Sequence, residues 1–104
     1  MPSAQGFIKS VAAGNKFMSV FIIDDIQYHF SGQLQPAVQS FQSNDATLEY
    51  NSIDELTTSR DFQGKVGPMD ISINLSNGAT IKGNLDMPLN QAALASGTGT
   101  WTQQ

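Results

Sequence analysis

Residues 70–86 read DISINLSNGATIKGNLD, two alternating apolar and polar runs that meet at Asn77-Gly78. Alternation with a period of two residues is typical of a β-strand that has one buried face. Asn-Gly between two such runs indicates a tight turn, because both residues adopt a left-handed backbone more readily than most others. The stretch therefore predicts a β-hairpin. Its register follows if the apolar side chains are required to share one face.

Two loop lengths are possible at this turn, and they give different registers. A two-residue loop would pair Ile73 with Lys82 and mix the core face with the solvent face. A three-residue loop over 76–78 pairs Ile73 with Ile81 and keeps the apolar side chains together. This loop requires Gly78 to take a left-handed conformation in a G1 bulge. The further pairs that it predicts are Asn74 with Thr80 and Met69 with Leu85.

A second hairpin is predicted in the first half of the chain, with its turn at 24–25. This turn pairs Phe21 with Tyr28 and gathers most of the large side chains on one face, the predicted core. The side chains on that face are Phe17, Phe21, Ile23, Ile26, Tyr28 and Phe30. Upstream, Gly14-Asn15 predicts a two-residue turn between this hairpin and a first strand.

The strand over 17–23 is apolar on both faces, because Met18, Val20 and Ile22 alternate with the core residues. A single small core covers only one face of a sheet, so the other face needs separate cover. Segment 31–45, segment 89–95 or another molecule could supply it. We therefore assign Met18, Val20 and Ile22 as candidate interface residues, with a homo-oligomer or a protein partner as the expected consequence.

Together with these hairpins, turn signals along the rest of the chain give about seven or eight short strands in all. This spacing predicts an all-β fold, a compact antiparallel barrel or a two-sheet sandwich. Ser52 and Glu55 match a capping box, which leaves room for one short helix. A chain of 104 residues forms one core, so residues 1–104 are predicted to be a single β domain.

The composition restricts the classes of partner. The formal net charge is −4, and the five Lys and Arg residues are scattered along the chain. Nucleic-acid binding is not expected, since it needs clustered cations that neutralise phosphates. Charged residues make up 13% of the chain, about half the usual share. The polarity comes from Ser, Thr, Asn and Gln, which favours neutral polar ligands.

The sequence carries no recognisable catalytic set, and we do not expect an enzyme. His29 is the one histidine and Cys is absent, so neither a nucleophile–base pair nor a zinc site is indicated. No cofactor and no metal are expected. The chain as given shows no signal peptide and no apolar run long enough to span a membrane. It is expected to be soluble, and its compartment is unknown.

The leading functional hypothesis is a non-enzymatic binding module for neutral polar ligands, with carbohydrate the best single example. Its candidate ligand-binding residues are Trp101, Asn84, Gln27 and His29. Trp101 follows a run of small residues, Gly97 to Thr100, and could offer an aromatic surface to a sugar ring. Two alternatives remain open. One is a protein-interaction or self-assembling module, such as a toxin partner, an inhibitor or a surface protein, and the other is a barrel that carries a small apolar ligand.

Overall fold

The computed structural model describes residues 2–11, 15–34, 38–76 and 78–103, and these form a closed antiparallel β-barrel. The strands are β1 (Ser3–Val11), β2 (Lys16–Ile23), β3 (Ile26–Gln33), β4 (Gln42–Glu49), β5 (Ser59–Val66), β6 (Asp70–Leu75), β7 (Thr80–Asn84) and β8 (Ala93–Gln103). Around the barrel they run β1-β2-β3-β8-β5-β6-β7-β4, and β4 pairs with β1 to close it. A turn of 3-10 helix, Ile53–Glu55, follows β4. The predicted all-β fold is confirmed, and it is the barrel.

The β6–β7 hairpin has the predicted register. Ile73 pairs with Ile81 and Asn74 with Thr80, and Gly78 has φ of 105°. The Leu75 amide donates to the Ala79 carbonyl over 2.9 Å, which leaves three residues in the loop. Asn77, at the centre of that loop, lies outside the described residues.

One expectation for this hairpin is corrected at its open end. The Leu85 amide donates to the Met69 carbonyl over 2.9 Å, so the two residues lie opposite each other as predicted. The Met69 side chain does not join the buried face, however, and is 64% exposed. Met69 precedes β6 and stands at the rim of the barrel, where no neighbouring layer covers it.

Replacing Gly78 with Val is expected to lower the free energy of unfolding by about 1–2 kcal/mol or more, because a β-branched side chain fits poorly in a left-handed backbone. A Cβ at this position would meet no atom closer than 3.8 Å, so the cost comes from backbone strain and not from collision. Urea unfolding of the wild type and Gly78→Val measures it. A loss below about 0.3 kcal/mol would show that the turn does not need glycine.

The β2–β3 hairpin also has the predicted register, with Phe21 opposite Tyr28 and Ile23 opposite Ile26. Asp24 and Asp25 both adopt positive φ, 51° and 67°. The predicted core face is correct except at the tip, where Ile26 is exposed and Ile23 is only partly buried. These two residues lie beyond the last pairs that β1 and β8 form with this hairpin, Gly6 with Phe21 and Gln103 with Tyr28, so the barrel covers them incompletely.

The register between β1 and β2 differs by two residues from the predicted one. Val11 pairs with Lys16, whereas a two-residue turn at 14–15 would pair Ala13 with Lys16. Residues 12–14, on which part of the predicted turn falls, lie outside the described residues. The inward and outward faces of β1 are unaffected, because a shift of two residues preserves the alternation.

Aromatic side chains pack against one another inside the barrel. The Phe30 ring centroid lies 5.7 Å from that of Phe17, 6.3 Å from that of Phe62 and 4.8 Å from that of Trp101. The rings of Phe17 and Phe62 meet edge-on at 5.2 Å. These separations are those of rings in direct contact. Aromatic side chains therefore occupy the central section of the interior.

In the described parts of segments 31–45 and 89–95, the large buried apolar side chains contribute to the core. Leu34, Val38, Phe41 and Leu89 are all buried in the main hydrophobic cluster. The Leu34 amide donates to the Asn15 carbonyl over 2.7 Å, which fixes the chain where β3 leaves the sheet. By the topology these side chains belong to the end of the barrel at which β2 begins. These four side chains therefore do not cover the outer face of β2.

Candidate functional site

The outer surface of the first three strands brings together most of the residues that the sequence singled out. We define the β1–β3 face by its outward side chains. They are Gln5, Phe7 and Lys9 from β1, Met18, Val20 and Ile22 from β2, and Gln27, His29 and Ser31 from β3. They point outward because the residues alternating with them, among them Ile8, Phe21 and Phe30, are buried inside the barrel.

The centre of this face is apolar. Phe7 pairs with Val20, and Val20 pairs with His29, so the three side chains form one row across the strands. Val20 is only 8% exposed, as expected for a side chain flanked by an aromatic ring and an imidazole. Ile22 is 57% exposed. All three candidate interface residues lie on this face, and Ile22 offers solvent the largest fraction of its surface.

Neutral polar groups border the apolar centre. His29 Nε2 and Gln27 Oε1 lie 3.2 Å apart, so the two predicted ligand-binding residues are in contact. On the other side, Gln5 Nε2 donates to Thr47 Oγ1 over 3.0 Å. Amides and imidazole both donate and accept hydrogen bonds. The border therefore suits a partner surface that itself presents amides and hydroxyls.

Carboxylates are absent from the described outward positions of β1, β2 and β3, where the charges are those of Lys9 and Lys16. The acidic residues lie at the β2–β3 tip, in the 3-10 turn, on β4 to β6 and after β7. They are Asp24, Asp25, Asp45, Glu49, Asp54, Glu55, Asp61, Asp70 and Asp86. In a chain with a net charge of −4, the described outward positions of β1, β2 and β3 therefore carry positive charges only, and the nearest carboxylates along the β2–β3 hairpin are those of Asp24 and Asp25 at its tip.

The other two predicted ligand-binding residues lie elsewhere. Trp101 is 5% exposed and packs on Phe30 inside the barrel, so the expectation of a surface platform for a sugar ring is corrected. Residues alternate along β8, and Trp101 falls in the inward set with Gly99. Asn84 is exposed on β7, paired with Asp45 on one side and Asp70 on the other. It is separated from Gln27 and His29 by several strands.

The sequence did not single out Phe7 or Gln5. The alternation in β1 is weak, because Gly6 and Ser10 lie on the inward side while Phe7 lies on the outward side. Phe7 could have been assigned to the outer face from its position next to Ile8, a buried residue. The predicted turn at 14–15 already implied that β1 pairs with β2, and this pairing would have assigned Phe7 to the outer face.

An open groove lies on another part of the barrel, over β5 and its two neighbours. Gln63 pairs with Asn74 on β6 and with Ser96 on β8, so amide and hydroxyl groups form a row along its floor. Lys65 and Leu94 form the next row. The residues that line the groove are neutral and polar apart from Lys65, Gly64, Ala95 and the exposed Leu94, and they include no aromatic ring.

Within the described ranges, no three His, Asp or Glu side chains gather in a way that could hold a metal ion. In the same ranges, no helix is long and apolar enough to cross a membrane. Comparisons of the chain with protein-family models, with curated proteins and with solved structures found no match.

Proposed function

We propose that this protein is a non-enzymatic binding module that docks a second copy of itself through the β1–β3 face. One observation carries the proposal: Phe7, Met18 and Ile22 form an apolar centre on the described outer surface, in which Phe7 and Met18 are half-buried and Ile22 is exposed. Monomeric proteins seldom expose a contiguous apolar patch of more than a few hundred Å². An apolar centre with a polar border is also the usual anatomy of a protein interface.

The chemistry of the border favours a second copy as the occupant. In a two-fold interface the same groups meet from both sides, so they must complement themselves. Gln5, Gln27 and His29 meet this condition, because each offers both donors and acceptors. A face bordered by charges of one sign would not complement itself, because like charges would meet across the two-fold axis.

The charge distribution supports the same occupant. Two molecules that each carry a net charge of −4 repel one another. The repulsion is smallest when they approach through surfaces without carboxylates, and the β1–β3 face is such a surface. Lys9 and Lys16 lie toward the start of β2, whereas Asp24 and Asp25 follow its end, so a two-fold axis that crosses β2 near Val20 keeps like charges of the two copies apart.

The proposal assigns no catalytic role to this face. Val20 and Thr102 flank His29 in its cross-strand row, and neither supplies the carboxylate that orients an imidazole in a catalytic triad. Docking also accounts for the apolar outer side of β2, whereas catalysis would not need it.

Replacing Ile22 with Lys tests the proposal by sedimentation velocity over a wide range of protein concentration. We expect the wild type to self-associate reversibly, and we expect Ile22→Lys to raise the dimer dissociation constant by about tenfold or more, because a charge would be desolvated without a partner. Ile22 is exposed in the single chain, so the variant should fold. Leu94→Lys is the matched control, since Leu94 is 78% exposed on β8 and should tolerate the same change without effect on association.

Two results would contradict self-docking. The first is a wild type that stays monomeric up to a concentration of about 1 mM, the weak limit of specific association. The second is an equal loss of association in Ile22→Lys and Leu94→Lys, which would place the contact elsewhere or make it a general effect of added charge.

A second candidate function, binding of a neutral polar ligand such as a carbohydrate, is favoured by the row of Asn74, Gln63 and Ser96 in the groove over β5. Amides and hydroxyls at this spacing suit hydrogen bonding to sugar hydroxyls. A glycan array probed with the wild type and Gln63→Ala tests it. Binding that Gln63→Ala abolishes would support a sugar site, and an array without any bound glycan would count against one.

A further inference from the structure

We infer that two copies dock with their β2 strands antiparallel, so that Lys16 of each copy forms an ion pair with Asp24 of the other. This inference rests on the proposed function and adds the orientation and the charged contacts of the same interface. It starts from the order of groups along the strand. Lys16 begins β2, its outward apolar residues are Met18, Val20 and Ile22, and Asp24 follows its end.

These groups are placed symmetrically about Val20. Lys16 lies four residues before Val20, and Asp24 lies four residues after it. Met18 and Ile22 lie two residues before it and two residues after it. A two-fold axis that lies in the contact plane and crosses β2 at Val20 exchanges the two ends of the strand between the copies. Met18 then contacts Ile22 of the other copy, and Lys16 lies beside Asp24.

The charges select this orientation over the alternative in which the axis runs along β2. That axis would bring each residue against its own counterpart, so Lys16 would meet Lys16 and Asp24 would meet Asp24, a repulsive contact. With the axis across β2, a rise of about 3.3 Å per residue places each charge about 13 Å from the axis. The two lysines are then about 26 Å apart, more than twice the Debye length of about 10 Å at about 0.1 M salt.

Both side chains are available for a contact between copies. Lys16 and Asp24 are exposed, and neither forms an ion pair with another residue in the described part of the chain. Asp25 follows Asp24 in the same turn and adds negative charge at the same end of the strand. Each end of the interface therefore joins one lysine to a turn that carries two carboxylates.

Asp45 and Glu49 on β4 are the carboxylates that adjoin this surface beyond β1. The axis would bring their side of one copy to the same side of the other, so they oppose the contact. They do not enter it, however, because β4 lies two strands from β2 around a barrel of eight strands. This is a quarter of the circumference. A convex surface that touches its copy along β2 has curved away at that distance.

Sedimentation velocity of charge-reversed variants in about 0.1 M salt tests the ion pair. An exposed ion pair changes an equilibrium constant by up to about fivefold, and a two-fold interface contains the pair twice. We therefore expect Lys16→Glu and Asp24→Lys each to raise the dimer dissociation constant about tenfold or more. The variant with both changes restores opposite charges across the axis, and its dissociation constant should lie within about threefold of the wild-type value.

Asp70→Lys is the matched control for Asp24→Lys. Asp70 is exposed at the start of β6, the strand opposite β2 in the barrel order. Both substitutions remove one negative and add one positive charge in a chain of net charge −4, which reduces the general repulsion between copies. Asp70→Lys should therefore leave the dissociation constant unchanged or lower it, whereas Asp24→Lys should raise it.

A neutral variant guards against misfolding at the turn. Asp24 has φ of 51°, a conformation that Asn also adopts readily. Asp24→Asn removes the charge without straining the turn and should raise the dissociation constant about threefold. Circular dichroism shows whether each variant keeps the barrel.

The outcomes separate the ion pair from the docking itself. A doubly changed variant that associates more weakly than either single variant would overturn the ion pair. It would also be overturned if Asp24→Lys associated as tightly as Asp70→Lys, because only net charge would then matter. In both cases a wild type that associates, and that Ile22→Lys disrupts, keeps the docking proposal. A wild type that is monomeric up to about 1 mM would contradict the proposed function, and the inference would fail with it.

Discussion

Phe30→Ala is expected to lower the free energy of unfolding by about 3–5 kcal/mol, the usual cost of removing a fully buried aromatic ring. Phe30 contacts three other rings, those of Phe17, Phe62 and Trp101. A Cβ on Gly99 would lie 2.5 Å from Phe30 Cζ, so the ring packs directly on the β8 backbone. Nothing on that side can move in to fill the space that the ring would leave.

Urea unfolding measures this loss, and Ile26→Ala is the matched control on the same strand. Ile26 is exposed at the hairpin tip, so its truncation should cost less than about 1 kcal/mol. A similar loss in both variants would mean that the interior is not packed around Phe30. The residual stability of a domain of this size is small, so Phe30→Ala is best studied at low temperature, where it stays folded.

The same variant tests whether the barrel carries a small apolar ligand. A packed interior should give a wild type whose melting temperature is unchanged by benzene, whereas Phe30→Ala should melt higher in its presence because the new cavity binds it. A wild type that benzene stabilises would contradict a packed interior and would favour the apolar-ligand alternative.

Gly6→Ala is expected to lower the free energy of unfolding by about 3 kcal/mol, which is the second large effect that we predict. Gly6 pairs with Phe21 on one side and Ala46 on the other, and the register of β1 against β4 shifts directly after it. A Cβ there would overlap the Val20 carbonyl oxygen. Because that atom belongs to the backbone, β1 must move away from β2, and no side-chain rotation can relieve the collision.

Gly78→Ala is the control for Gly6→Ala, since both replace glycine with the smallest side chain. At Gly78 the nearest atom to a new Cβ is Asn51 Nδ2 at 3.8 Å, so only the strain of positive φ remains, about 1–2 kcal/mol. Equal losses in the two variants would show that close strand approach at Gly6 is not required. Gly6→Ala should also weaken self-association, because the next residue, Phe7, lies on the β1–β3 face and would move with β1.

Most of the barrel could be predicted from local pattern. Asn77-Gly78 and Asp24-Asp25 each fixed a turn, and strict alternation around them then determined every pair in their hairpins. The choice of barrel over sandwich could not be made, since it depends on β4 returning to pair with β1 and on β8 inserting between β3 and β5. Those contacts join residues far apart in sequence and leave no local signature.

Only part of the candidate site was predicted from the sequence. Met18, Val20 and Ile22 were assigned to an outer face by alternation against Phe17 and Phe21, and they lie there. Trp101 was wrongly expected at the surface. Its neighbours are Gly and Thr, which do not alternate between apolar and polar residues, so the pattern does not show that Trp101 points inward. Phe7 was missed because Phe7 and Ile8 are adjacent apolar residues in a weakly alternating strand, so the local pattern does not show which of the two faces inward.

The concentration dependence of backbone amide chemical shifts most directly tests the proposal that two copies dock through the β1–β3 face. Heteronuclear NMR spectra of the uniformly labelled wild type, recorded at about pH 7.5 over a dilution series, report each amide separately. Self-docking predicts that the amides that shift on dilution cluster on the β1–β3 face, around Val20, Ile22 and His29, while those around Gln63 and Leu94 stay constant. Spectra that do not change with concentration, or shifts confined to β5 and β8, would contradict it.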